Sequence, residues 1–372
     1  MALKHKIYGA IFNIFNIFPI KDNSVSFVVD KNNSFIGNLN YIYKELNSRN
    51  INLEYNCVVK NRFSISDIYH LARSKYIFLN DNFLALAYMN ISNKTKVIQV
   101  WHGPGAFKKF GYSSINLKDK DLIKLIRNSS KRITYLTVTS ENIKKYYSEA
   151  FQIDEDKIIS SGIPRLDFYS KKNLSENNIN KIKEGFMGNH PEIKNKKIIL
   201  YAPTFRENSE YNNVFKYFDV AKFLNELSDE YVLLVRLHPK MYEFDTENNI
   251  NKDVFDFDNV IDCTNYENEQ DLLLMSDILI TDYSSIMVEY SILNRPIIFF
   301  AYDLDNYLSN ERGFYFDYND VPGTIVKNTS ELIDVIKNSK FNMDKLEKFL
   351  KFQFDYIDDK SSERIIDFVL DS

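Results

Sequence analysis

Residues 271–296, DLLLMSDILITDYSSIMVEYSILNRP, hold the pattern that decides the fold. Asp271–Met275 reads as the end of a helix, and Asp277–Thr281 is a short apolar run of the length of a buried parallel strand. The chain then turns through Asp282 and Tyr283 into Ser284 and Ser285, after which Ile286, Val288, Ile292 and Leu293 recur at helical spacing. A strand thus hands over directly to a helix whose first turn is Ser-Ser. Free backbone N–H groups, two hydroxyls and the positive end of the helix dipole face the crevice where open α/β sheets hold anions. The expectation is a diphosphate cradle; an ordinary serine N-cap is the plainer alternative.

On both sides of this stretch, strand-like and helix-like segments alternate as in βαβ units. Strands are predicted at Val25–Val29, Leu53–Val59, Tyr76–Leu79, Lys96–Val100, Tyr135–Thr139 and Lys157–Ser160, then at Lys197–Ala202, Tyr231–Leu237, Val260–Cys263 and Ile297–Ala301. With 372 residues and 44% hydrophobic side chains the chain can fill two α/β cores. The expected organisation is a first Rossmann-like domain at 23–170, a linker at 171–196, a second Rossmann-like domain at 197–355, and a C-terminal helix at 356–372 that crosses back. Cys57 and Cys263 lie far apart and form no metal or redox spacing, which fits a reducing cytoplasm.

The net charge of −4 divides sharply: residues 1–200 sum to +14 and residues 201–372 to −18. A basic first half suits an anionic partner such as a lipid surface or a phosphorylated acceptor, although two separately solvated surfaces would give the same count. No basic-aromatic interleaving of a nucleic-acid module is present, and none is expected as a partner. At the N-terminus, Ile7–Ile20 is apolar but interrupted by Asn13 and Asn16 and closed at Pro19, too short and polar to span a bilayer. No signal-peptide cleavage site follows. Flanked by Lys4, Lys6 and Lys21, residues 1–22 are expected either to lie on an anionic leaflet or to pack on the first domain.

Two strand ends carry the chemistry. The strand at Lys96–Val100 opens into Trp101-His102-Gly103-Pro104-Gly105 and then Lys108 and Lys109. A histidine in such a loop has the right proton affinity for a general base, and the lysines suit an anionic acceptor. In the second half, Tyr231–Leu237 ends in Arg236-Leu237-His238-Pro239, and Lys197–Ala202 ends in Pro203-Thr204-Phe205-Arg206. Arg206, Arg236, His238 and a helix N-terminus could together do at a diphosphate what a metal would do. No metal-ligand or P-loop spacing calls for an ion, ATP or another cofactor.

In order along the chain, WHG with a lysine pair, VTS before a helix, GIPRLD, YAPTFR, RLHP and SDILITDYSS with a downstream RP resemble the CDP-glycerol glycerophosphotransferases that build teichoic acids, over roughly residues 96–325. The resemblance implies a GT-B fold, with two Rossmann-like domains whose parallel sheets face a central cleft. It implies transfer of glycerol phosphate or ribitol phosphate from CDP-glycerol or CDP-ribitol to a prenyl-diphosphate-linked saccharide or polyol-phosphate acceptor, releasing CMP. In what the resemblance implies, His102 would be the base and His238 a diphosphate contact; Thr204, Arg206, Arg236, Ser284 and Ser285 would hold the donor's phosphates in the second domain, Glu289 the ribose, and Asp282 the turn, while Trp101, Gly103, Lys108 and Lys109 would line the acceptor side in the first. Such a protein would work in the cytoplasm, peripheral on the inner face of the membrane. The nearly bare catalytic module leans toward a primase or short-chain transferase. A GT-B glycosyltransferase using a nucleotide sugar and a non-catalytic membrane-associated scaffold are the competing expectations.

Overall fold

Runs rich in Val, Ile, Phe and Tyr lie side by side as parallel strands, the arrangement favoured by strands that are apolar on both faces. In the computed structural model, which describes residues 2–30, 35–60, 64–114, 120–227, 229–241, 252–311 and 313–372, the chain forms two compact units, Met1–Tyr169 with Phe352–Ser372 and Ser170–Lys351.

The first unit holds β1 (Lys21–Val29), β2 (Glu54–Val59), β3 (Ser74–Leu79), β4 (Lys96–Gln99), β5 (Tyr135–Val138) and β6 (Ile158–Ser160), in the order β2-β1-β3-β4-β5-β6. All of these pairings are parallel. Helices α1 (Ala2–Phe15), α2 (Asn38–Ser48), α3 (Ile65–Ala72), α4 (Lys120–Ser130) and α5 (Lys144–Phe151) accompany them. The strand order reverses between β1 and β3, so the ligand crevice of a doubly wound sheet belongs at the carboxyl ends of those strands. One face packs Phe27, Phe78 and Val100 against Leu39 and Ile42 of α2. Ile365, Ile366 and Val369 of α13 (Ser361–Asp371) join the same core, although that helix follows the second unit in sequence. The α13 N-terminus is tied down by Asp167, whose carboxylate accepts from the Ser361 N–H at 2.7 Å and the Ser362 N–H at 2.9 Å.

The opposite face settles how α1 sits. Tyr8 and Phe12 are buried among Val58, Ile68, Leu71, Ile77 and Phe83. Asn13 and Asn16, which break the apolar run, bond the 88–90 backbone: Asn13 donates to the Tyr88 carbonyl at 3.1 Å and accepts from the Asn90 N–H at 2.8 Å, and Asn16 donates to the Asn90 carbonyl. Gly9 permits this approach, since a Cβ there would lie 2.4 Å from the Tyr88 Cβ. The remaining face leaves Leu3, Ile7, Ile14, Ile17 and Phe18 exposed beside Lys4 and Lys6. No helix among the described residues is long and apolar enough to cross a membrane.

The second unit holds α6 (Glu176–Met187), β7 (Lys197–Tyr201), α7 (Val220–Leu227), β8 (Tyr231–Val235), β9 (Val260–Asp262), α8 (Glu269–Met275), β10 (Ile278–Thr281), α9 (Ile286–Ser291), β11 (Ile297–Phe300), α10 (Leu304–Asn310), β12 (Thr324–Val326), α11 (Thr329–Lys337) and α12 (Met343–Gln353), along which the chain returns to the first unit. Its sheet runs β12-β11-β10-β7-β8-β9, all parallel, the strand order of a doubly wound dinucleotide-binding sheet. Here the order reverses between β7 and β10, the strands that lead into Thr204 and Asp282. The stretch 171–196, expected as a linker, belongs to this unit and carries α6, whose Phe186 is buried.

Candidate functional site

In the first unit, Val29, Val59 and Leu79 are buried strand residues, and the chain turns polar just beyond each of them. The Lys60 ammonium bridges the carboxylates of Asp30 at 2.7 Å and Asp81 at 2.6 Å. Burial works against the Lys60 charge, but these two hydrogen bonds outweigh it and hold its pKa above the ordinary lysine value. The other Asp81 oxygen lies 3.8 Å from His102 Nδ1, just beyond β4.

His102 is aimed outward by a constrained turn. Trp101 adopts φ 55°, a left-handed conformation that a bulky residue rarely takes. Its N–H donates to the Gln99 side chain at 3.0 Å, and its carbonyl accepts from Asn38 at 2.6 Å. Asn38, buried at the start of α2, also donates to Asn80 at 3.2 Å and accepts from the Arg165 N–H at 2.7 Å, tying three strand-end loops together. The Trp101 ring packs on Phe110, Phe151 and the His102 ring. Expected to face the acceptor, Trp101 is instead 6% exposed: its chemistry is to shape the turn, because an indole this large lowers the free energy most by burial. His102, by contrast, has a side chain 54% exposed. Desolvation lowers its proton affinity, Asp81 and Asp30 partly restore it, and the balance lies below an ordinary histidine. It is therefore neutral near pH 7, the state a base requires. Gly103 and Gly105 accept from the Tyr147 hydroxyl at 3.3 and 2.8 Å, while Lys108 and Lys109 follow, half-buried.

In the second unit the β7 and β10 ends lock together. Asp282, 1% exposed, accepts from the Thr204 N–H at 2.9 Å and the Tyr283 N–H at 2.5 Å. Arg206 is wholly buried: it pairs with Asp282 at 2.6 Å, forms a fork with both oxygens of Asp303 at 3.0 Å, and donates to the Thr204 carbonyl. The rings of Tyr283, Tyr302 and Tyr307 surround its guanidinium. Arg206 was expected to bind phosphate, and this is a correction: a sealed cation with its donors committed to two carboxylates has no reach to a ligand, and its role is to hold the turn. Asp282 shapes the same turn. Arg236 is likewise committed inward, donating to the Cys263 and Tyr266 carbonyls at 3.0 and 2.9 Å, with its Nε 3.6 Å from Glu269.

Three groups remain outward. His238 is exposed beyond β8, with Nδ1 accepting from the Lys240 N–H at 3.2 Å and its ring beside Phe205. Ser284 is half-buried, its hydroxyl accepting from the Ile286 N–H at 3.3 Å. Ser285 is exposed and makes no side-chain capping bond to α9, as a plain N-cap would. Glu289, placed one turn on, is buried and accepts from Gln270 at 2.7 Å. Sequence reasoning missed Asp30, Asn38, Lys60, Asp81 and Asp303; for all but Asn38 the available signal was a polar residue just past a run of buried strand residues.

Two parallel doubly wound sheets, each with a histidine beyond a strand end and one with a serine turn at its switch point, define an α/β protein of the doubly wound class. The chain belongs to the CDP-glycerol:poly(glycerophosphate) glycerophosphotransferase family, whose model matches residues 10–371. It is 36% identical, over 98% of its own length, to a teichoic acid poly(ribitol-phosphate) polymerase of Bacillus spizizenii, of which it spans 59%. It is also 36% identical to a teichoic acid glycerol-phosphate primase of Bacillus subtilis, over 82% of this chain and 76% of that one. Among solved structures, that of the wall teichoic acid polymerase TagF matches with TM-score 0.79 at 26% identity, covering 100% of this chain and 96% of that one.

Proposed function

We propose that the protein transfers glycerol phosphate or ribitol phosphate from its CDP-activated donor to a hydroxyl of a lipid-linked saccharide or of a growing teichoic acid or capsule-type polymer, releasing CMP. The acceptor oxygen bonds to the distal phosphorus as the phosphorus–oxygen bond to CMP breaks, and the acceptor's proton goes to His102. The observation that carries this reading is the exposed His102 at a parallel strand end, with the Asp81 carboxylate 3.8 Å from its Nδ1, in a chain of the glycerophosphotransferase family.

In the same reading Thr204, His238, Ser284 and Ser285 take the donor's diphosphate and Glu289 its ribose, while Arg206, Arg236 and Asp282 keep those loops in shape. Gly103, Lys108 and Lys109 flank the acceptor. The two Rossmann-like units are read as the pair of a GT-B transferase. The exposed Leu3, Ile7, Ile14, Ile17 and Phe18 beside Lys4 and Lys6 support a peripheral position on an anionic leaflet, with α1 packed on its unit through one face and on lipid through the other.

The test is CMP release from CDP-glycerol and from CDP-ribitol, with and without a prenyl-diphosphate disaccharide acceptor. Acceptor-dependent CMP from one donor is expected, and the product's mass separates one addition from many. Release from neither donor, with turnover of a nucleotide sugar, overturns the proposal.

A further inference from the structure

We infer that Asp81 is the positioning residue for His102: it holds the ring with Nδ1 toward its own carboxylate and Nε2 outward to take the acceptor's proton. The inference rests on the reading of His102 as the base. Its ground is the order of groups along the sheet edge. Lys60, Asp30, Asp81 and His102 follow β2, β1, β3 and β4, four strands adjacent in that order, so their positions form a charged row across the switch point. Within the row Lys60 binds both aspartates, at 2.7 and 2.6 Å, and fixes the carboxylate that approaches His102 Nδ1 to 3.8 Å. The Asn82 N–H, 2.7 Å from the same Asp81 oxygen, keeps it from rotating away, and Gln99 holds the Asp81 carbonyl at 3.1 Å.

A separation of 3.8 Å is an ion-pair distance, longer than a hydrogen bond. Catalytic hydrogen bonds are often this long before substrate arrives. A carboxylate at Nδ1 selects the tautomer with Nδ1 protonated, which leaves the lone pair on Nε2, and it steadies the imidazolium formed once the proton is taken. The charges facing His102 are Asp81 and Asp30, which favour its protonation, and Lys60 and Arg165, which oppose it. Lys60 thus has two effects: it fixes Asp81 in place, and it adds to the burial that holds the His102 proton affinity below the ordinary value.

This makes two variants move one quantity in opposite directions. In Asp81→Asn the His102 titration, followed by NMR of ring-labelled histidine, shifts down by about half a pH unit or more. In Lys60→Met it shifts up. The acid limb of kcat/KM for CMP release moves with it, and kcat falls roughly tenfold or more in Asp81→Asn. In a His102→Ala background, Asp81→Asn adds no further loss. A His102 titration that is the same in wild type and both variants overturns the inference, and so does loss in Asp81→Asn that adds fully to that of His102→Ala. A wild-type protein that releases no CMP defeats the proposed function instead, while the NMR titration still decides whether Asp81 governs the ring.

Discussion

Replacing His102 by alanine removes the neutral ring at the β4 end, and CMP release is expected to drop by about a hundredfold or more with the circular dichroism spectrum unchanged. Because its proton affinity lies below the ordinary value, the base form persists into mildly acidic solution; kcat/KM should stay level through neutrality and decline only below about pH 6.5. Arg206 calls for a different outcome. Removing a buried cation strands Asp282 and Asp303 without their partner, so Arg206→Met should cost about 3–5 kcal/mol in urea unfolding. A rise in donor KM with full stability would return Arg206 to the ligand. The contrast shows what residue types alone conceal: Arg206 and His238 both follow strand ends, and only the three-dimensional fold reveals that one is sealed by Asp303 and three tyrosines. Cys263, its thiol pushed up by burial to about 12, should resist alkylation until the protein unfolds.

Among the elements, α1 has two faces with separable roles. Phe12→Ala opens the packed face and is expected to cost about 3–5 kcal/mol. The double change Ile7→Asp and Ile14→Asp touches the exposed stripe, so thermal stability should hold while sedimentation with anionic vesicles is lost; vesicle binding equal to wild type would sink the membrane role. The alternation of strands and helices was legible because parallel strands are short continuous apolar runs, and the strand–Ser-Ser–helix stretch lies where it was read, as β10 and α9. Less visible were α4, whose apolar residues are confined to Leu122, Ile123, Leu125 and Ile126 within a Lys/Asn/Ser-rich stretch, and β12, a three-residue edge strand. The burial of Trp101 was not legible because its place in a Gly/Pro loop hid the stacking of Phe110 and the edge contact of Phe151, aromatic partners that lie far from it along the chain or carry no local period.

For the whole molecule, α13 is the piece that completes the first unit's core. Deleting residues 361–372 uncovers Phe27, Phe78 and Val100, and the emission of the protein's single tryptophan, Trp101, should move to longer wavelength as that unit loosens. An unchanged spectrum and melting curve would mean that the core closes without α13. The general architecture could be read from the chain's motifs, and the C-terminal helix was expected to cross back; its particular seat against Phe27, Phe78 and Val100 was not legible, since Ile365, Ile366 and Val369 show only an amphipathic helix. The same topology bears on synthesis. As the polypeptide leaves the ribosome, the first half emerges with its hydrophobic seat for α13 still vacant, and the second unit can finish folding before the first. The unit translated first thus has its last structural piece delivered last, and until then it exposes apolar surface of the kind that aggregates.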